Sequence, residues 1–181
     1  MKNYLSALLG FMIALAITTE SHAQTIGKRH MQNENSFLGF SDILALINSP
    51  AEGVVSVNVK ALKLFSKLYK KINNASWDKT VEGYRASFTL DNTKNAIYFD
   101  NKGHWVAGLI TYQESKFAKN LRDMVKREYY DYNIYQVQEV TTLQSDGIPT
   151  FIVYLESKDS LKTLLIYDGE MQVWQDFKKQ H

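Results

Sequence analysis

The sequence predicts an α+β fold: a tandem repeat of one amphipathic helix followed by an antiparallel β-meander, with the helices packed on one face of a curved sheet. Three observations predict it. Helical spacing of apolar residues gives way to period-two alternation twice along the chain. Turn-forming Asn, Asp and Gly residues separate the alternating runs at hairpin intervals. Both copies close on an aromatic-Asp-Gly type of turn, Phe99-Asp100-Asn101-Lys102-Gly103 in the first and Tyr167-Asp168-Gly169 in the second.

Residues 1–23 read as an export signal: Lys2 supplies positive charge, an apolar run extends from Leu5 to Ile17, and Ser21-His22-Ala23 offers a cleavage site before Gln24. The apolar run is too short to span a bilayer comfortably. The expectation is a periplasmic or secreted chain with no membrane anchor after cleavage. Residues 24–57 form a polar lead-in, with Gln32-Asn33-Glu34-Asn35 in a row, and then a short packing helix. On that helix Phe37, Phe40, Ile43, Leu44 and Ile47 fall at helical spacing before Pro50 and Gly53 stop it.

The first helix-sheet unit is read over residues 58–113. Asn58 is a plausible N-cap, and Leu62, Phe65, Tyr69 and Ile72 form an apolar stripe opposite Lys60, Lys63, Lys67, Lys70 and Lys71. Tyr84, Ala86, Phe88 and Leu90 then alternate with Arg85, Ser87, Thr89 and Asp91. Asp91 to Asn95 reads as a turn, 96–99 as the next strand, and 105–112 as a third. The second unit, 114–181, repeats the order. A helix over about 115–128 carries Phe117, Leu121, Met124 and Val125 on one face, and strands follow at 133–142, 150–156, 161–167 and 171–177. Asp146-Gly147 and Asp168-Gly169 mark turns that require positive φ. Each unit alone is marginal in size for independent folding, so the two are expected to share a core.

Cysteine is absent, which in an exported chain excludes a disulfide framework and a lipidated tether. The net charge is +2 and its basic residues are spread along the chain, leaving no stripe suited to nucleic acid. Tyr is the commonest of the aromatic residues, which suits a β-rich core as well as an amphipathic contact surface.

Several of these positions carry a resemblance. Trp77 follows the first helix, Gly83-Tyr84 precedes Ala86 and Phe88, Phe99-Asp100 precedes Gly103 and Trp105, Tyr132 follows the second helix, and Tyr167-Asp168-Gly169 ends the pattern. Over residues 58–178 the chain resembles the PepSY-like, beta-lactamase-inhibitor-protein-like (BLIP-like) family of exported Bacteroidetes proteins. That resemblance implies a tandem of helix-plus-sheet units with a concave β-face, similar to secreted inhibitors that dock this face on an enzyme. The chain departs from the pattern at Lys70, where a Pro usually stands, and near Phe117, where none opens the second helix. The missing cysteines set it apart from the disulfide-bonded inhibitor that gives the fold its name.

No constellation for chemistry emerges. Ser76-Trp77-Asp78-Lys79 matches a Ser-x-x-Lys pattern but lacks the Ser-Asp-Asn and Lys-Thr-Gly partners, and reads as a helix-to-strand connection with a buried Trp. Of the histidines only His104 falls inside an expected element, where it caps a hairpin, so no zinc ligand set forms. Asp100 and Asp168 read as turn aspartates rather than paired acids. No cofactor or metal is expected.

The expected function is therefore a non-enzymatic binding module that holds a protein or peptide of the cell envelope on its β-face, inhibitor-like or chaperone-like. The contact surface is assigned to the outward strand positions Arg85, Ser87, Thr89, Tyr98, Ile152 and Tyr154, whose Ile and Tyr side chains would form an exposed apolar patch. The cluster Tyr129, Tyr130, Tyr132 and Tyr135 divides between core and surface by alternation. The alternative is a periplasmic small-ligand binder with a cavity lined by Trp77, Tyr84 and Trp105.

Overall fold

The computed structural model describes Ala45, Ile47 and residues 56–180. Every described residue lies within the unit Leu38–His181. The export signal, the polar lead-in and most of the short packing helix lie outside the described residues. Ala45 and Ile47 are helical.

Helix α1 (Val59–Leu68) is followed by strands β1 (Ser76–Lys79), β2 (Gly83–Leu90), β3 (Thr93–Asp100) and β4 (Trp105–Tyr112). A 3-10 turn at Glu114–Lys116 leads into α2 (Lys119–Glu128), and β5 (Asn133–Thr142), β6 (Thr150–Glu156), β7 (Ser160–Tyr167) and β8 (Glu170–Lys178) complete the chain. All eight strands form one antiparallel sheet in chain order. The sheet is continuous across the α2 insertion because β4 pairs directly with β5, Leu109 opposite Val140.

Three elements differ from the sequence reading. Ser76–Lys79 is a strand, with Trp77 opposite Ala86, and not a bare connection. Four residues are too few to show a period, and the strand is defined by its partner. The turn after β2 is two residues long, with Asp91 at φ 48° and Asn92 at φ 57°, the primed geometry that matches the twist of a hairpin. β3 consequently starts at Thr93, where polar residues disguise it. Asn95 is buried, and its amide nitrogen donates to the Thr93 carbonyl (3.0 Å) and hydroxyl (3.1 Å). The second helix begins at Lys119, because Phe117 has extended backbone and is buried ahead of it. The Asp146-Gly147 and Asp168-Gly169 turns have the expected positive φ.

Both helices pack on the same face of the sheet. Ala61 and Phe65 of α1 meet Ala86, Phe88, Ile97 and Phe99. Phe65 is the hub: its ring lies 5.3 Å from Trp77 edge-on, 5.6 Å from Phe88 and 5.1 Å from Tyr69, while Trp77 stacks on Phe99 at 5.6 Å. Each such ring pair adds about 0.5–1.5 kcal/mol beyond its area burial. On the α2 side, Phe117 and Val125 meet Ile134, Val137, Val153, Leu155, Leu164 and Ile166. Register joins the two clusters on one face: Ile97 lies opposite Gly108, and two alternations on, Tyr112 lies opposite Val137.

The β3–β4 hairpin fastens α1. Asn58 Oδ1 accepts from the Lys60 amide (2.9 Å) as an N-cap, and its Nδ2 donates to the Asn101 carbonyl (3.1 Å). Gly103, at φ +83°, lets the hairpin approach so closely that a Cβ there would sit 2.8 Å from the Ala61 nitrogen. Asp100 holds the hairpin closed. Its Oδ1 accepts from the Lys102 and His104 amides, both at 2.8 Å, and its Oδ2 lies 2.9 Å from His104 Nδ1. Slight burial raises the Asp100 pKa, but the His104 hydrogen bonds and charge, with the Lys102 amide, outweigh it and hold the carboxyl below its ordinary 3.8.

Two outcomes are expected. Gly83→Ala places a Cβ 2.0 Å from the Phe99 carbonyl oxygen, whereas at Gly108 the nearest atom is Ile97 Cδ1 at 3.7 Å. Urea unfolding should show Gly83→Ala destabilised by about 3 kcal/mol and Gly108→Ala by no more than about 1 kcal/mol. Asp100→Ala should cost about 1–2 kcal/mol at neutral pH through its lost turn hydrogen bonds. Because the folded pKa is depressed, this stabilisation is present above the unfolded value and is lost as pH falls through the folded one. The wild-type and Asp100→Ala stabilities should therefore converge in acid titrations below pH 3.8.

Candidate binding surface

Antiparallel register sorts the side chains that do not face the helices into rows across the opposite face of the sheet. One row runs Asp78, Arg85, Tyr98, Ala107 and Thr142. The next runs Ser87, Ala96, Leu109, Val140 and Thr150. A third runs Thr89, Lys94, Thr111, Gln138, Ile152 and Leu165, and a fourth Gln136, Tyr154, Thr163 and Gln175. All six residues assigned from the sequence, Arg85, Ser87, Thr89, Tyr98, Ile152 and Tyr154, lie on this one face.

Their exposure is not what the sequence reading expected. Thr89 is exposed, and Arg85, Ser87 and Tyr154 are half-buried. Tyr98 is only 2 % exposed and Ile152 is 0 % exposed, so the open apolar patch expected there is corrected to a second core. Tyr98 and Ile152 belong to a cluster with Ala107, Leu109, Val140 and Leu165, against which Ile47 packs from outside the sheet. Strand alternation identifies which face a residue takes, but not what covers that face.

Polar groups on this face are paired in an ordered way. Arg85 meets Asp78 at 3.1 Å, both about one-fifth exposed. The Tyr98 hydroxyl lies against Arg85; burial raises its pKa and the guanidinium partly offsets that. Tyr154 donates to Gln138 Oε1 at 2.8 Å, and its ring lies 5.9 Å from that of Tyr135. Tyr135 reaches this face because β5 carries a bulge between Ile134 and Gln136.

Around β2–β4 an open depression of about 470 Å³ is lined by Ser87, Thr89, Lys94, Ala96, Leu109 and Thr111 of this face, by Asn74, and by Phe88 and Asn95, which belong to the helix side. Its lining combines three hydroxyls and the Lys94 ammonium with Ala96 and Leu109, the latter only 7 % exposed. Such a lining can hydrogen-bond a backbone or a polar side chain, hold a carboxylate, and seat a small apolar group. Lys94, Leu109 and Thr111 escaped the sequence reading. Lys94 reads as a turn residue in the sequence, although the alternation Ala107, Leu109, Thr111 along β4 is a usable signal.

The chemistry-bearing patterns resolve into structure. Ser76 and Lys79 stand three residues apart on an extended strand, about 10 Å along it and on opposite faces, so they form no dyad. Lys79 bonds Asn101 Oδ1 and lies 4.4 Å from the Tyr84 ring centroid. Asp100 and Asp168 play different parts: Asp100 binds turn amides, whereas Asp168 occupies the left-handed position at φ 48°. Trp77, Tyr84 and Trp105 pack on the α1 cluster rather than around a cavity. Tyr130 is exposed, while Tyr129 and Tyr132 pack on the α2 cluster. Among the described residues no three His, Asp or Glu side chains converge as a metal site, and no helix is long and apolar enough to cross a membrane.

No protein-family model matches the chain, and no curated protein matches it in sequence. Solved structures do match in fold. A DUF2874 family protein from Bacteroides ovatus superposes with a TM-score of 0.58 at 15 % identity, covering 69 % of this chain and 89 % of that one. A BLIP-like protein from Bacteroides fragilis gives 0.58 at 14 % identity, covering 70 % and 89 %. A protein from Bacteroides eggerthii, proposed to be periplasmic, gives 0.57 at 14 % identity over 68 % and 90 %. At these identities the likeness is one of fold, and the fold of this chain is the α+β, BLIP-like one.

Proposed function

We propose that the chain is an exported, non-enzymatic binding module that holds a peptide or protein segment on the sheet face opposite its helices. The observation that carries this reading is the open depression at β2–β4, whose lining combines the Ser87, Thr89 and Thr111 hydroxyls and the Lys94 ammonium with Ala96 and Leu109. An extended segment with an acidic side chain and a small apolar one fits that chemistry. The signal-like N-terminus supports export to the periplasm or beyond, and the likeness to a BLIP-like protein supports a role in contact with another protein. We read the two helix-plus-four-strand halves as copies of one unit, side by side, which is how a small module makes a broad face.

The test places a photo-crosslinker at Thr89 and captures partners from cell-envelope extract. A specific adduct should form, be identified by mass spectrometry, and rebind when purified. Thr89→Trp with Lys94→Glu, which fills the cleft and reverses its charge, should weaken that binding at least about tenfold, or 1.4 kcal/mol, while the melting temperature stays near wild type. Binding unchanged by both substitutions, or no adduct above background, would remove the reading.

The Lys94 ammonium beside the Ser87, Thr89 and Thr111 hydroxyls would also suit a small acidic ligand. This second reading expects a thermal-shift screen of small acidic compounds to raise the melting temperature of the wild-type chain and not of Lys94→Glu.

A further inference from the structure

We infer that the apolar middle of the face opposite α1 and α2 is occupied by this chain's own segment 40–47, docked within the same molecule through Ile47. The first observation is burial. Tyr98, Ala107, Leu109, Val140, Ile152 and Leu165 are all 7 % exposed or less, although α1 and α2 pack on the other face. A sheet face left to water would not bury Ile152 and Leu165 so fully, so another layer lies over them. The second observation names the layer. Of the hydrophobic residues packed on this cluster, Ala96, Val106 and Tyr154 belong to the sheet itself, and Ile47 alone comes from outside it among the described residues.

Sequence and reach agree with this occupant. Ala45 and Ile47 are helical, and Phe40, Ile43, Leu44 and Ile47 stand at i, i+3, i+4 and i+7, the spacing of a single apolar stripe. Val57 packs on the α1 side of the sheet. From Ile47 to Val57 the chain can extend about 33–36 Å. Passing from one face to the other around the β1 edge and inward to β4 needs roughly 10 Å of thickness and 15 Å of width. The connection is long enough.

The consequence for partner contact rests on the binding reading above. With its middle taken by segment 40–47, this face presents the β2–β4 cleft to a partner and withholds Tyr98 and Ile152. The six sequence-assigned residues would then divide, with Ser87 and Thr89 at the cleft and Tyr98 and Ile152 beneath the chain's own helix.

Methyl-labelled protein, expressed with its own leader and purified as the cell processes it, tests the docking. Nuclear Overhauser contacts are expected between the Ile47 methyls and those of Leu109, Val140, Ile152 or Leu165. They should persist on dilution and be absent from the intermolecular spectrum of a mixed labelled and unlabelled sample. Ile43→Asp should abolish them and raise fluorescence of an apolar-surface dye several-fold. Absence of the contacts in the wild-type chain would overturn the inference. Contacts found only between molecules would overturn it in favour of a second copy. Contacts present without any captured partner would leave the docking standing and remove the binding reading; cleft-dependent capture without the contacts would do the reverse.

Discussion

The constraint on which the rest of this structure depends is the unbroken antiparallel register from β1 to β8. Once Leu109 is set opposite Val140, the two halves of the chain share one sheet and every strand residue is committed to a face. A slip of one residue anywhere would send Phe88, Ile97 and Val137 toward the wrong layer. The two-residue turns at Asp91-Asn92 and Asp168-Gly169 guard against that, because their positive φ values suit only a tight hairpin. Asp100 does the same for β3–β4 by a different means, spending its carboxylate on the turn amides.

Three bulges modify this parity and are as informative as the regular pairs. The bulge at Ile134/Gln136 turns Tyr135 onto the face opposite the helices, where it meets Tyr154. The shift between Tyr98 and Phe99 accommodates Val106 on the same face as Tyr98, leaving Trp105 to the α1 cluster. The shift between Thr163 and Leu164 places an extra residue in β8, the outermost strand, and bulges at sheet edges distort the template that another strand would need. The sheet thus carries two packed layers: an aromatic one around Phe65 under α1, continued by aliphatic packing under α2, and a smaller one on the reverse.

Much of this was legible in the sequence. The outward strand positions Arg85, Ser87, Thr89, Tyr98, Ile152 and Tyr154 share one face, and the helical stripe located α1 through Phe65, although Leu62 is exposed and Tyr69 and Ile72 lie beyond its end at Leu68. What escaped has physical causes. β1 is too short to show a period and exists through its pairing with β2. Thr93 to Asn95 looks like turn chemistry, and it is a strand because it pairs with β2 and β4, Lys94 between Thr89 and Thr111 and Asn95 between Phe88 and Ile110. Burial of Tyr98 and Ile152 depends on a layer remote in sequence, which alternation cannot report. The cleft was missed for the same reason, since it joins Lys94, Leu109 and Thr111 only when β3 and β4 pair.

On the proposed function, a partner contacts the β2–β4 side of the reverse face and not the basic outer face of α1. Amide chemical-shift mapping of the labelled chain with its purified captured partner tests this most directly. Perturbations centred on Ser87, Thr89, Lys94 and Thr111 are expected. Perturbations centred on Lys63, Lys67 and Lys70 would contradict this placement.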